Sequence, residues 1–309
     1  MGRILFIRGG AVGDFILSMP SLRLIRETLP ENEIEILGYP SIASLAVAAG
    51  LADHVRPLED PRLATFFAPG AKLDAEWCAY FAGFDVVVSC LYDPDGFFSG
   101  NLRVAGVKTL VSCPFRPDET APHVPAAIQF AKPLESIGLF LEDATLDLVY
   151  PNPPGIDPGP TLALHPGSGS PRKNWSFEAW AEVLASLHHE RPDLRFLVTS
   201  GEAEATRIAG FLDLLLQSAI PFQHLSGRPL AELGSIFGKI EGFLGHDSGL
   251  SHLAASAGAK SLLLFGPTEP GIWAPLSPGV RILRASDGRL SSVKPGEVVA
   301  AARELFTAS

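Results

Sequence analysis

The sequence predicts an α/β protein of two doubly wound, Rossmann-like domains that face a cleft. Three observations predict this fold class. Short apolar runs alternate with longer segments of helical period, which is typical of βαβ units around a parallel sheet. The length of 309 residues fits two domains of about 150 residues each. A stretch rich in proline and glycine at 151–160 separates two such alternations and is expected to act as a connector.

The first domain is predicted over residues 1–150. Its elements are short apolar strands and segments of helical period. Strands are predicted at 4–7, 34–37, 86–89 and 109–111, and helices at 14–28, 41–49, 73–82 and 123–137. Pro20 lies inside the first of these helices, so a kink or the start of a new turn is expected there.

The second domain is predicted over residues 151–309, where the same alternation resumes. Strands are predicted at 161–164, 195–199, 242–245, 261–265 and 281–283, and helices at 177–190, 203–217, 248–257 and 295–306. The last helix is a candidate to pack back on the first domain. Ligands of such sheets bind beyond the carboxyl ends of the strands, so the loops at those ends are the candidate sites.

Composition excludes several classes of protein. The net charge of −10, with no block of Lys or Arg, argues against nucleic-acid binding. Three cysteines, odd in number and without metal-ligand spacing, indicate a reducing compartment and argue against a disulfide framework and a zinc site. No apolar run is long enough to span a membrane. We therefore expect a cytoplasmic protein. At most, it would make peripheral contact with the inner face of a membrane.

The first candidate loop follows the first strand and carries Gly9, Gly10, Gly13 and Asp14. Its glycines permit a tight turn, and the N–H groups at the start of a helix favour anions. The spacing is not that of a dinucleotide fingerprint, and no acid follows the second strand, so a dehydrogenase is disfavoured. Asp14 has two interpretations, a first-turn acid that complements the helix dipole and a catalytic carboxylate.

Two further candidate loops follow strands of the second half. Residues 165–175 contain two glycines, two serines and two cations before a helix, which suits phosphate oxygens; the alternative is a solvated turn before a helix capped by Ser176. Residues 245–252 offer the side chains of Asp247 and Ser248 and the backbone of Gly249 at a helix start, which predicts an anion site. His246 and His252 lack the spacing of a zinc site.

Two features of the first half have competing interpretations. Asp93-Pro94-Asp95 has the D-x-D form by which some glycosyltransferases bind a divalent cation, but Asp-Pro-Asp-Gly is also ordinary turn chemistry. A cluster of aromatic residues either belongs to the core or contacts a glycolipid or a membrane edge: Phe66, Phe67, Trp77, Tyr80 and Phe81.

The candidate loops together resemble glycosyltransferase family 9, the heptosyltransferases of lipopolysaccharide core assembly, which have the GT-B fold. The resemblance extends nearly end to end. It is carried by RILFIRGGAVGD, LHPGSGSPRKNW, TSGEAE and GHDSGLSHLAASAGAKSLLLFGPT. The most specific part is the family's D-[ST]-G-x-x-H, which is present here from Asp247 to His252.

The resemblance implies an inverting, metal-independent enzyme without a cofactor. It would move a heptose or a related sugar from an ADP-linked donor to a glycolipid or oligosaccharide acceptor of the lipopolysaccharide-core type. Asp14 matches the base and Lys173 the cation at the donor phosphates, while Glu204, or Glu202, matches the acid that binds ribose. The remaining matches are to the donor: Ser168, Asp247, Ser248, Gly249 and His252.

The chemistry of glycosyl transfer is consistent with these roles, because the reaction needs a base at the acceptor oxygen and stabilisation of the departing diphosphate. The alternatives are a GT-B relative that uses another nucleotide sugar, a nucleotide-sugar epimerase, and a member that binds a nucleotide sugar without transferring it. The presence of both Asp14 and Lys173 favours the transferase.

Overall fold

The computed structural model describes residues 2–121, 123–151, 159, 161–201 and 204–307. Most of the predicted connector, and Glu202, lie outside the described residues. The chain divides into two compact units, 1–144 and 145–309.

The boundary lies earlier than the predicted one at 150, because the segment before the connector is bonded to the second unit. The Leu148 N–H donates to the Ser256 carbonyl at 2.7 Å. The Ser277 hydroxyl donates to the Leu146 carbonyl at 3.2 Å, and the hydroxyls of Tyr150 and Ser256 are 3.4 Å apart.

The first unit contains a parallel sheet in the order β3-β2-β1-β4-β5. Its strands are β1 (Arg3–Arg8), β2 (Glu33–Gly38), β3 (His54–Pro57), β4 (Val86–Ser89) and β5 (Thr109–Ser112). Its helices are α1 (Val12–Thr28), α2 (Pro40–Ala48), α3 (Ala75–Ala82), α4 (Phe97–Val104) and α5 (Ala126–Ala131), with 3-10 turns at Pro61–Phe67 and Lys132–Ile137. The chain order reverses between β1 and β4, which makes this the switch point where ligands of such sheets bind.

The four predicted strands of this unit are confirmed to within a residue at each end. β3 and α4 were not predicted. The predicted helix 123–137 is wrong in its extent: an α-helix begins only after Pro125, and the chain changes to a 3-10 turn around Pro133. Pro20 does not divide α1, which is assigned continuously over 17 residues.

The aromatic segment of this unit is mainly core. Phe66, Trp77 and Phe81 are almost fully buried, and the Phe66 and Phe81 rings meet edge to face with centroids 5.1 Å apart. Phe67 is partly exposed and stacks on Phe98 at 4.6 Å. The three cysteines are free thiols.

The second unit contains a parallel sheet in the order β11-β10-β9-β6-β7-β8. Its strands are β6 (Thr161–Leu164), β7 (Arg195–Ser200), β8 (Phe222–Ser226), β9 (Gly242–His246), β10 (Ser261–Phe265) and β11 (Val280–Arg284). Its helices are α6 (Phe177–Glu190), α7 (Ile208–Gln217), α8 (Leu230–Phe237), α9 (Gly249–Ser256), α10 (Pro270–Trp273) and α11 (Pro295–Thr307), with 3-10 turns at Pro171–Lys173 and Leu290–Ser292. The switch point here lies between β6 and β9.

The five predicted strands of this unit are confirmed, whereas β8 and α8 were not predicted and α7 begins at Ile208 rather than at 203. The last helix, α11, packs within the second unit. Val298 and Ala302 of α11 are buried in the second unit's core, and Arg303 pairs with Glu190 of α6. No helix among the described residues is long and apolar enough to cross a membrane.

Candidate functional site

The loop between β9 and α9 is built to present a helix N-terminus. Ser248 is the N-cap, and its hydroxyl accepts the Ser251 N–H at 3.4 Å. Ser251 in turn donates its hydroxyl to the His246 carbonyl. Gly245 makes this approach possible, since a Cβ there would lie 3.0 Å from the Ser251 hydroxyl. The N–H groups of Gly249 and Leu250 remain without an acceptor in the described part of the chain, so they are available to an anion.

An ion pair joins this loop to the one after β6. Lys173 ends the 3-10 turn, and its Nζ lies 2.6 Å from Asp247 Oδ2. The Asp247 side chain is only 7% exposed, whereas that of Lys173 is 30% exposed. His252 Nε2 lies 4.0 Å from the other carboxylate oxygen. Asp247 therefore holds the partly accessible Lys173 ammonium next to the start of α9. The ammonium and the N-terminal end of the helix both supply positive charge there.

His246 fastens the Lys173 loop to β9. Its Nε2 accepts the Trp175 backbone N–H at 2.9 Å and lies 3.3 Å from the Trp180 indole N–H. Burial is the main cause that lowers the His246 pKa to about 3, with a smaller opposing contribution from the Gly167 backbone. The ring is therefore neutral and able to accept both N–H groups at neutral pH.

Ser168 closes the loop after β6 on itself. Its buried hydroxyl lies 2.7 Å from Asn174 Oδ1 and 2.9 Å from the Ser170 carbonyl, and it accepts the Ser170 N–H at 3.3 Å. The hydroxyl thus positions the segment that carries Lys173. A direct contact between Ser168 and a nucleotide-sugar donor stays a prediction.

Glu204 is a buried carboxylate at the carboxyl ends of β6 and β7. Its Oε2 accepts the Gly201 N–H at 2.9 Å, and its Oε1 lies 3.9 Å from His165 Nε2. A Cβ at Gly167 would come within 2.1 Å of Oε1, so a side chain at 167 would displace the Glu204 carboxylate from this position. Burial lowers the His165 pKa, against the opposing charge of Glu204. Glu202, the other acid considered for ribose, is outside the described residues.

In the first unit, the glycine turn leads from β1 into α1. Gly10 has a φ of +100°, a conformation that side chains other than glycine's rarely adopt. Gly9 and Gly13 complete the turn and the first residues of α1. Asp14 is half-buried, and its Oδ2 accepts the Ala11 N–H at 3.2 Å. The first-turn interpretation of Asp14 is therefore confirmed, and it leaves Oδ1 without a hydrogen bond to any described residue.

Arg8 fixes the position of this turn. It is 1% exposed, and its Nη1 donates to the carbonyls of Cys90 at 3.3 Å and Phe115 at 3.0 Å. Its Nη2 donates to the Asp14 carbonyl at 3.2 Å. One guanidinium thus connects Asp14 to the segments that follow β4 and β5.

Asp93 of the D-x-D sequence caps α4. Its two oxygens accept the N–H groups of Phe98 at 3.0 Å and Ser99 at 2.9 Å. Burial alone would raise the Asp93 pKa, but these amide hydrogen bonds outweigh it and the pKa is lowered. The geometry favours the turn interpretation over a cation site. Among the described residues no group of three or more His, Cys, Asp or Glu side chains is placed to hold a metal ion.

Comparison with known proteins identifies the family. The model of glycosyltransferase family 9 (heptosyltransferase) matches residues 143–299, which is 157 of the 309 residues. The chain belongs to glycosyltransferase family 9. Lipopolysaccharide heptosyltransferase 1 of Pseudomonas aeruginosa is 32% identical to this family 9 chain over 116 residues, or 37% of the chain. The matched part is 31% of that relative, so the chain spans about a third of its length.

Two solved structures share the fold. A family 9 glycosyltransferase from Veillonella parvula superposes with a TM-score of 0.80 at 18% identity, covering 100% of this chain and 98% of that one. The E. coli heptosyltransferase WaaC, solved with ADP, gives a TM-score of 0.73 at 18% identity, covering 98% of this chain and 99% of that one. The prediction of two Rossmann-like domains is thereby confirmed.

Three residues that organise the sites of this family 9 chain lie in the candidate loops, but their roles were not predicted. His246 was weighed individually only as a metal ligand, and no role was predicted for Asn174. The importance of Arg8 could have been suspected from the sequence. A charged residue at the end of an apolar strand and before a glycine turn is unusual, because charged residues are rarely buried.

Proposed function

We propose that this chain is an inverting glycosyltransferase that moves a heptose or a related sugar from an ADP-linked donor to a glycan acceptor of the lipopolysaccharide-core type. Family membership supports the reaction class. The observation that carries the proposal is the grouping of Lys173, the α9 N-terminus and Glu204 at the switch point of the second sheet.

The departing diphosphate would be stabilised by Lys173 and by the N–H groups of Gly249 and Leu250. Hydrogen bonds from charged donors to phosphate are about twice as strong as neutral ones. Asp247 keeps the ammonium oriented before the donor arrives, so little reorganisation is needed during transfer. These positive groups support leaving-group stabilisation by the protein itself, without a divalent cation.

The ribose of the donor would be recognised by Glu204. An ionised carboxylate only accepts hydrogen bonds, and the two hydroxyls of a ribose are matching donors. Oε2 is already used by Gly201, which leaves Oε1 for the nucleoside. The structure of WaaC with ADP makes ADP the first nucleotide to test.

Asp14 would act as general base toward the acceptor hydroxyl. Arg8 fixes its backbone, the Ala11 N–H holds one carboxylate oxygen, and the other oxygen remains able to take a proton. One base and one displacement leave no covalent glycosyl intermediate, so the anomeric centre inverts.

The test is a donor screen with the purified chain. ADP, UDP and GDP are compared by the rise in melting temperature that each causes, because a bound ligand stabilises by mass action. Release of ADP from ADP-heptose is then measured with and without a core oligosaccharide. ADP is expected to stabilise most. A preference for UDP or GDP would indicate a relative with another donor, and no response to any nucleotide would contradict a nucleotide-sugar enzyme.

A further inference from the structure

Two buried thiols lie side by side at the carboxyl ends of β4 and β5. The two strands are parallel, with Ser89 opposite Ser112. The next residue of each strand is a cysteine, so Cys90 and Cys113 face each other across the ladder. The ladder continues through both residues: the Cys90 N–H donates to the Ile7 carbonyl at 2.9 Å. The Cys113 N–H donates to the Ser89 carbonyl at 2.8 Å.

This placement suits a disulfide. Neighbouring strands of a sheet lie about 4.8 Å apart, and the Cα atoms of a disulfide are separated by about 4.4–6.8 Å. The two side chains also meet, since the Cys113 thiol is hydrogen-bonded to the Cys90 sulfur. A bond between the sulfurs would therefore need little movement of either strand.

The surroundings of the pair favour the thiolate of Cys90. The hydrogen bond from the Cys113 thiol lowers the Cys90 pKa, and the charge of Arg8 lowers it further, against the opposing effect of burial. The same hydrogen bond is the main cause that raises the Cys113 pKa. The pair therefore keeps its proton on Cys113 and its negative charge on Cys90. The thiolate is the reactive form of a cysteine.

Arg8 supplies an independent reason for a negative charge at this position. Its side chain is almost fully buried, its three hydrogen bonds go to backbone carbonyls, and its Nε has no acceptor among the described residues. A buried charge is costly unless an opposite charge accompanies it. The Phe130 ring, 4.6 Å from the guanidinium carbon, offers only the partial charge of its face. Cys90, whose carbonyl Arg8 binds, is placed to supply a full charge.

One of the two sulfurs can be reached from outside. Cys113 lines an open pocket of about 400 Å³ beyond the carboxyl ends of the two strands. Cys90 is 1% exposed and is not among the residues that line this pocket. A water molecule occupies about 30 Å³ in the liquid, so the pocket has room for a molecule as small as hydrogen peroxide. Oxidation would therefore begin at Cys113 and be completed by Cys90.

We propose that Cys90 and Cys113 form a redox-active pair, which hydrogen peroxide oxidises to a disulfide and an external thiol reduces again. The Cys113 sulfur attacks one peroxide oxygen while the Cys90 thiolate takes the Cys113 proton. The O–O bond breaks, and hydroxide leaves. The Cys90 sulfur then attacks the Cys113 sulfenic acid: the S–S bond forms, the S–O bond breaks, and the hydroxyl leaves as water with the Cys90 proton. The two sulfurs lose two electrons, which the peroxide gains.

Oxidation should reach the first switch point, a consequence that rests on the proposed function. The disulfide removes the negative charge of Cys90, whose carbonyl is bonded to Arg8. Arg8 also donates to the Asp14 carbonyl, so a shift of the guanidinium moves the proposed base. Misplacing a reacting group by about 1 Å can cost about a hundredfold in rate, so turnover should fall about ten- to a hundredfold. The affinity for ADP should not change, because its proposed contacts belong to the second unit.

The experiment treats the folded full chain with hydrogen peroxide, denatures it, alkylates the remaining thiols and maps the unreduced peptides by mass spectrometry. A disulfide between the Cys90 and Cys113 peptides is expected, and dithiothreitol should reverse it. It should form about tenfold or more faster than Cys78 is oxidised. Cys78 is the internal control, because it is a half-buried thiol of α3 whose pKa is raised, mainly by burial.

Two variants complete the test. Cys113→Ser keeps a hydroxyl donor for Cys90 but cannot form the bond, so its turnover should not respond to peroxide. Cys78→Ser should respond as the unaltered chain does. The inference is overturned if Cys90 and Cys113 remain thiols while Cys78 is oxidised, or if their disulfide forms only in denaturant. Unchanged turnover of the oxidised chain overturns the link to Asp14.

The disulfide is detected by mass, independently of any transfer reaction, so the two proposals can fail separately. A chain that forms the disulfide but neither binds a nucleotide nor transfers a sugar contradicts only the proposed function. A chain that transfers a sugar but forms no disulfide contradicts only this inference.

Discussion

The two switch points of this chain share one kind of strand topology, but they differ in how tightly their charged side chains are held. Between β6 and β9, the side chains of Lys173, Asp247 and Glu204 are mostly buried and already hold one another or the backbone. Between β1 and β4, Arg8 is buried and donates to three backbone carbonyls, while Asp14 is half-buried and the residues that follow β4 and β5 line an open pocket. The difference shows that one topology supports both a tightly held cluster of charged side chains and an open pocket.

The physical reason lies in the cost of burying charge. A charge can be held inside a protein only if its partners are already in place. The loops after β6 and β9 therefore contact each other closely.

The largest expected effect tests the first switch point. Asp14→Asn keeps an oxygen for the Ala11 N–H but cannot take a proton. Turnover should fall by about two to four orders of magnitude, with the melting temperature and the affinity for ADP nearly unchanged. Steady-state kinetics with calorimetric titration measures both. A large loss of melting temperature would mean that Asp14 serves the helix start rather than the reaction.

The next effect tests the second switch point. Lys173→Ala removes a charged donor to phosphate, which is worth about 1.5–3 kcal/mol. ADP binding should weaken about ten- to a hundredfold, and pyrophosphate binding by a similar factor. Arg172→Ala, on the neighbouring exposed cation of the same turn, is the matched control and should change either affinity little. Equal losses in both variants would mean that the loop acts only through its net charge.

A pH dependence of stability should follow from His246. Its folded pKa is about 3, below the value near 6.5 of an unfolded histidine. Between these values the unfolded state binds the extra proton, so stability should fall as pH falls, by about 1.4 kcal/mol per pH unit from this group. Urea unfolding from pH 7 to pH 4 is the measurement. His246→Gln can still accept an N–H and should flatten the slope; an unchanged slope would assign it to other groups, such as His165.

The smallest effect separates the nucleoside from the phosphates. Glu204→Gln retains an oxygen for the Gly201 N–H but loses the charge. ADP binding should weaken about three- to tenfold, while pyrophosphate binding should be unaffected. Titration of both ligands against the variant decides this. Equal weakening of the two would place Glu204 at the phosphates instead of ribose.

Periodicity predicted the strongly patterned elements of the fold. β6, β10 and α6 were predicted with their observed limits, because β6 and β10 are fully buried runs and α6 begins after the Ser176 cap. β3 and β8 were not predicted. Each is a short edge strand in which few residues are buried, so the sequence carries no apolar alternation.

The site residues were predicted from their positions after strands and from the family resemblance, but their mutual contacts were not. Lys173 and Asp247 are far apart in sequence, and nothing local indicates that they pair. Which N–H groups donate to His246 depends on how the loop after β6 meets β9. Such contacts are set by tertiary structure and become visible only when the sheet order is known.

Gly167 and Glu204 restrict how this protein can change over evolutionary time. Any replacement at Gly167 adds a Cβ, and the carboxylate of Glu204 already occupies that space. A single substitution at 167 would therefore push the acid out of its place, while a shorter residue at 204 would free position 167 to vary. The two positions should covary among descendants of this chain, with glycine retained at 167 wherever a glutamate is retained at 204. Alanine or serine at position 167 should therefore appear first in lineages that have lost the acid at position 204.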